Sequence, residues 1–151
     1  MSTLAAIRPD SWNFPLFLHV LGAMVLVGGT LTAASALAFA RGETALLRLG
    51  YWSLLAVALP GYIVMRIGAQ WIYSKEGLGD APVDAAWTGI GFVVADAGAL
   101  LLLIALVVGG IGVYRLRTGG GTRLLSVSMG ISVLLLAAYV VAIWAMAAKP
   151  Q

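Results

Sequence analysis

The chain has no cysteine and one histidine among its 151 residues. Without cysteine there are no disulfides, thiolate metal sites or iron–sulfur clusters, and the redox compartment is left open. One histidine excludes a bis-histidine haem built within a single chain. Charge is scarce as well: charged residues make up 10% of the chain, against ~25% in soluble domains. The net charge of +3 is spread thinly, which argues against a nucleic-acid surface. No catalytic triad, paired-carboxylate motif or internal repeat is visible. Gly119-Gly120-Gly121 follows a helix end and lacks the lysine of a phosphate-binding loop, so it reads as a flexible linker. These absences favour a non-enzymatic protein.

What the chain does have is apolar surface. Its hydrophobic fraction is 62% and its mean hydropathy +1.01. A soluble fold would have to expose much of that surface to water, whereas a bilayer removes the difficulty. Apolar runs at about 14–40, 47–73, 85–114 and 124–148 are each long enough to span a membrane. The predicted fold is therefore all-α, one transmembrane domain over 1–151 arranged as a four-helix bundle. Asn13 is a candidate cap for the first helix, with Trp12 suited to the headgroup region. Ala36-Leu37-Ala38 resembles a signal-peptide cleavage site, but the apolar run before it is too long for one and Arg8 is balanced by Asp10. Pro60 offers no N–H to the Ala56 carbonyl and predicts a kink in the second span.

Orientation follows from the basic residues. The first and third connections carry Arg41, Arg48, Arg115, Arg117 and Arg123, while the second sets Lys75 against Glu76, Asp80 and Asp84. Positive residues stay in the cytoplasm, which puts both termini on the outer side. The setting is a bacterial inner membrane, crossed several times.

The second and third spans each carry one charge. Arg66 lies roughly 10 Å below the outer end of its span and Asp96 roughly 15 Å below the end of its own, at ~1.5 Å per residue. A lone charge there costs at least ~2.5–3.5 kcal/mol. Spans joined by a short connection are neighbours, so a bidentate Arg66–Asp96 pair is expected. His19, Gln70, Tyr62 and Tyr139 fall in or near the same outer layer, Gln70 and Tyr62 one turn to either side of Arg66. They predict a shared polar pocket opening outward. The plainer alternative is a structural clamp at Arg66–Asp96, with His19, Gln70 and Tyr139 bonded to backbone, headgroups or neighbouring helices.

Cofactor chemistry, if any, centres on His19. Haem b held by His19 with Met65 or Met146, or by two histidines in a dimer, is one option; copper on the same imidazole and thioethers is another. A proton or anion path through Asp96, His19 and Arg66 is a third. The run from His19 to Gly29, a histidine followed by small residues and the Gly28-Gly29 pair, resembles the first helix of copper-resistance D-type proteins and of HemJ-type protoporphyrinogen oxidases. The second resemblance implies His19 as a haem ligand. The chain departs from that pattern in having no lysine within a span and no tryptophan before Gly28-Gly29. As a whole it resembles small four-span integral membrane proteins of actinobacterial type.

The reading is a small membrane protein, sitting in the lipid bilayer, that binds a ligand or serves as an accessory subunit of a homo-oligomer or larger membrane complex. A haem- or metal-binding redox protein comes second and a proton-coupled carrier third.

Overall fold

The computed structural model describes residues 10–77 and 86–148. The N-terminal tail as far as residue 9, most of the second connection and the C-terminal Lys149-Pro150-Gln151 lie outside the described residues. The chain forms an all-α four-helix bundle. Helix α1 (Asn13–Phe39) is the first span. The second is composite: α2 (Thr44–Ser53), a π-helical turn (Leu54–Ala58) and α3 (Leu59–Glu76) run on without a break. Helices α4 (Ala86–Arg117) and α5 (Arg123–Ala148) complete the bundle.

Local chemistry explains most of the boundaries. The chain is already turning at Asp10–Trp12 as a short 3₁₀ segment, so α1 needs no side-chain cap. Asn13 sits inside the helix and donates to Asp10 Oδ1 at 3.4 Å instead of capping. Pro60 falls just after the π-turn, where Leu59 N–H bonds five residues back to the Leu54 carbonyl. The proline that predicts a kink thus coincides with a widened ladder, one of the recognised ways a helix absorbs a missing donor. Helix α3 ends at Gly77, whose φ of 63° suits a residue without Cβ. The glycine triplet after α4 takes part in ending that helix. Gly119 is left-handed and Gly120 N–H donates to the Arg115 carbonyl at 2.8 Å, a Schellman-type closure.

Packing divides the bundle into two tight pairs. Helices α1 and α3 touch backbone to backbone: a Cβ added at Gly61 would lie 2.6 Å from Leu26 N, and one at Gly22 would overlap the Met65 backbone. Small residues permit this approach, as is usual between helices in lipid. Helices α4 and α5 form the other pair, joined by Ser128 Oγ–H donating to the Ala105 carbonyl at 3.0 Å. A core of Leu26, Leu54, Leu102 and Leu135 unites the pairs at mid-height. A second cluster, with Leu37, Leu47, Val113 and Leu125, closes the end that carries the arginine-rich turns. All four spans meet the length and hydropathy of a membrane helix, yet within the most apolar windows of α4 and α5 only 22% of residues are buried. Those outward apolar faces are suited to lipid.

Candidate functional site

The pair expected from sequence is present: Arg66 Nη2 lies 2.7 Å from Asp96 Oδ1. Its setting differs from the expectation. The Arg66 side chain is 31% exposed and that of Asp96 65% exposed, so the pair lies on the flank of the bundle. Asp96 shares an outward stripe with Val93 and Leu100. The reason is that α3 and α4, though consecutive spans, barely touch one another; α3 packs on α1 and α4 on α5. The arginine therefore reaches across a seam rather than into a core. The guanidinium carbon also stands 5.4 Å from the Phe92 ring centroid, a cation–π contact that helps hold it.

Two further side-chain contacts cross the same seam. Tyr62 O–H donates to the Ala95 carbonyl at 3.2 Å. Tyr73 and Phe92 meet edge to face with centroids 5.1 Å apart. Bordering the seam is a partly open cavity of about 860 Å³ in the half of the bundle remote from the arginine-rich turns, with the exposed Val20, Met24 and Ile143 of α1 and α5 in its lining. All four spans line it: Leu16 to Gly28 on α1, Met65 to Glu76 on α3, Trp87 to Ala95 on α4 and Tyr139 to Ala147 on α5 each contribute residues. At ~1.5 Å per residue the α1 wall is roughly 18 Å long. The lining is mainly apolar, with Arg66, His19 and Glu76 among its few polar side chains.

His19 is fixed by a neighbouring helix. Its Nδ1 lies 3.2 Å from the Met65 carbonyl. A carbonyl only accepts, so Nδ1 is the donor in this contact and Nε2 is the ring nitrogen left facing away from it. This is the backbone hydrogen bond that the plainer reading of His19 called for. Tyr139 reaches the cavity from α5 and is 6% exposed. Its ring packs over Gly98 of α4, and its hydroxyl has no hydrogen-bond partner among the described residues.

The structure thus brings His19, Arg66 and Tyr139 to one cavity, together with Met65 and Met146. Tyr62 and Asp96 tie the seam from outside that lining, and Gln70 is exposed on α3. Phe92 and Glu76 take part as well. Phe92 stands one turn before Asp96, a spacing that sequence alone offers. The sequence places Glu76 in the second connection, but α3 continues three residues past Tyr73 and carries Glu76 to the rim. Among the described residues no three His, Asp or Glu side chains gather as a metal site.

Neither a family model, nor a curated protein, nor a solved structure matches the chain. No family is identified. By the length and composition of its helices it is a multi-pass membrane protein.

Proposed function

We propose that this is a small, non-enzymatic binding protein of a bacterial inner membrane, with both termini outside, that holds a lipophilic small molecule in the outer half of its bundle. The carrying observation is the cavity of about 860 Å³ to which all four spans contribute. Its size is that of a site for a small organic ligand, and a mainly apolar wall with a few fixed polar groups is the usual make-up of such a site. The chain acts alone or as the ligand-carrying subunit of a larger membrane complex. Arg66 and Asp96 are its electrostatic centre and Tyr139 a polar group at its floor.

The test is to purify the protein in mild detergent or native nanodiscs, extract it with organic solvent and identify bound molecules by mass spectrometry. A companion variant, Ala142→Phe, narrows the cavity from α5. We expect a small molecule near one per chain in the native protein and its loss in the folded variant. Extracts free of any stoichiometric molecule in both proteins would refute the reading.

One observation favours haem b as an alternative ligand. The Nδ1–H to carbonyl bond that orients His19 is the support a metal-bound imidazole commonly has, and Met146 lines the same cavity. A Soret band abolished in His19→Ala decides for it, and a colourless preparation decides against it.

A further inference from the structure

Arg66 and Glu76 both line the cavity, but their charges are met differently. Arg66 lies 2.7 Å from Asp96 and stands over the Phe92 ring, so its charge is answered from within the protein. Glu76 is not so answered. Among the described residues its carboxylate has no hydrogen bond and no ion pair. Lys75, beside it in the chain, is exposed and does not line the cavity. With Arg66 and Asp96 neutral as a pair, Glu76 leaves an unmatched negative charge on the wall.

The place of that charge matters. Glu76 lies at the outer end of α3, and Met65 on the same wall is roughly 16 Å deeper at ~1.5 Å per residue. Tyr73 is one turn inward of Glu76 on the same face and also lines the cavity. The Tyr73–Phe92 contact sets the start of α4 at the level of Glu76, where Trp87 adds a second ring to the lining. Aromatic rings attract cations, quaternary ammonium heads among them. Further in, the lining turns apolar, with Ala23 and Val27 of α1 and Ala142 of α5. The lining residues Val20, Met24, Ile143 and Met146 are exposed, so this part of the cavity is open on the side of α1 and α5. An apolar chain lying there touches surrounding lipid as well as protein. The cavity is thus acidic and aromatic at the membrane surface and apolar within the membrane.

Resting on the binding role proposed above, we infer that the ligand is a lipophilic organic cation, an ammonium head on one long apolar tail. The head sits at the rim beside Glu76, Tyr73 and Trp87, and the tail runs inward along α1 and α5. Glu76 supplies the counter-charge. An anionic head at the same place would meet the carboxylate with nothing to offset the repulsion, because Arg66 is already paired with Asp96.

The test uses three photoprobes with the same alkyl chain and a diazirine at its far end. Their heads are trimethylammonium, its uncharged carbon isostere tert-butyl, and sulfate. The full-length protein in nonionic maltoside micelles is irradiated with each at pH 8, where ordinary carboxyl groups are ionised and ordinary imidazoles neutral. Mass spectrometry then compares labels on cavity residues such as Ala23 and Met65 with labels on the exposed Val93 and Leu100 outside it. That ratio cancels differences in how much probe enters the micelle. We expect the ratio for the ammonium probe to exceed that for tert-butyl about tenfold, the combined size of a partly screened ion pair and a cation–π contact. The sulfate probe should fall below both. Glu76→Gln should bring the ammonium and tert-butyl ratios within about twofold of each other while leaving the tert-butyl ratio unchanged, which also reports an intact cavity. Glu76→Lys should put sulfate ahead of ammonium.

An ammonium probe that does no better than tert-butyl in the native protein overturns the assignment to a cation. A preference that survives Glu76→Gln overturns Glu76 as its origin. Cavity labels absent with all three probes would instead bring down the binding role itself, a separate failure from either of these.

Discussion

The energetic weight of Arg66–Asp96 can be measured by a double-mutant cycle using Arg66→Leu, Asp96→Leu and the pair together. Removing Asp96 alone strands the guanidinium beside an apolar seam. The full penalty for an arginine at the centre of a membrane helix is ~2.5–3.5 kcal/mol. Arg66 stands one turn and a half inside Trp71, roughly 7 Å, so its head can partly snorkel. Its contact with Phe92 survives and returns ~0.5–1 kcal/mol. The expected loss is therefore about 1.5–2.5 kcal/mol, below the ~3–5 kcal/mol of a fully buried pair because Asp96 is 65% exposed. Arg66→Leu should cost a similar amount, and the double variant should return to native stability or exceed it, since leucine suits both surroundings. Reversible unfolding in mixed micelles, followed by tryptophan fluorescence, gives the free energies. A coupling energy below ~0.5 kcal/mol would place the pair with ordinary surface ion pairs and refute the treatment of the seam as a low-dielectric site.

The remaining predictions concern packing and orientation. Gly22→Val should lower thermal stability sharply, by ~3 kcal/mol or more, because its side chain meets the Met65 backbone; Gly130→Ala, which meets nothing, should be neutral or slightly stabilising in the same melting assay. Ser128→Ala should cost ~0.6–1.7 kcal/mol in micelle unfolding, the range for one interhelical hydrogen bond in a membrane protein. Single cysteines at Ser2 and Thr118 should differ in whole cells: membrane-impermeant maleimide should label the first and spare the second, and the reverse pattern would invert the orientation proposed from the arginines.

Hydropathy made the four spans legible, because a run of twenty or more apolar residues has few other fates. The ion pair was legible for a similar reason: a lone acid and a lone arginine in neighbouring spans each need a partner. What sequence could not supply was the side of the bundle on which they meet. A short connection predicts that consecutive spans pack as neighbours, yet the glycines of α1 draw α3 against it and leave α4 to α5. Gly22 and Gly61 were readable as small residues, but which helix would fill each notch depends on the matching of two surfaces. The cavity is a consequence of that choice, and so is the exposed position of Asp96. Helix termini are not legible where backbone geometry decides, as at Asn13, which follows a 3₁₀ turn, and at Glu76, which α3 retains as far as Gly77.

The π-helical turn at Leu54–Ala58 has an effect well beyond its own length. A wide turn accommodates one residue more than an α-helical turn, and one residue corresponds to about 100° of azimuth. Everything on α3 beyond that point is consequently phased a quarter-turn or so from where an unbroken ladder would put it. Arg66 is aimed at Asp96, and Gly61 and Gly68 at the notches of α1, because of that offset. Deleting one residue from the wide turn, Val57 for instance, would let the ladder close and would swing the arginine off its mark while leaving the sequence of the site untouched.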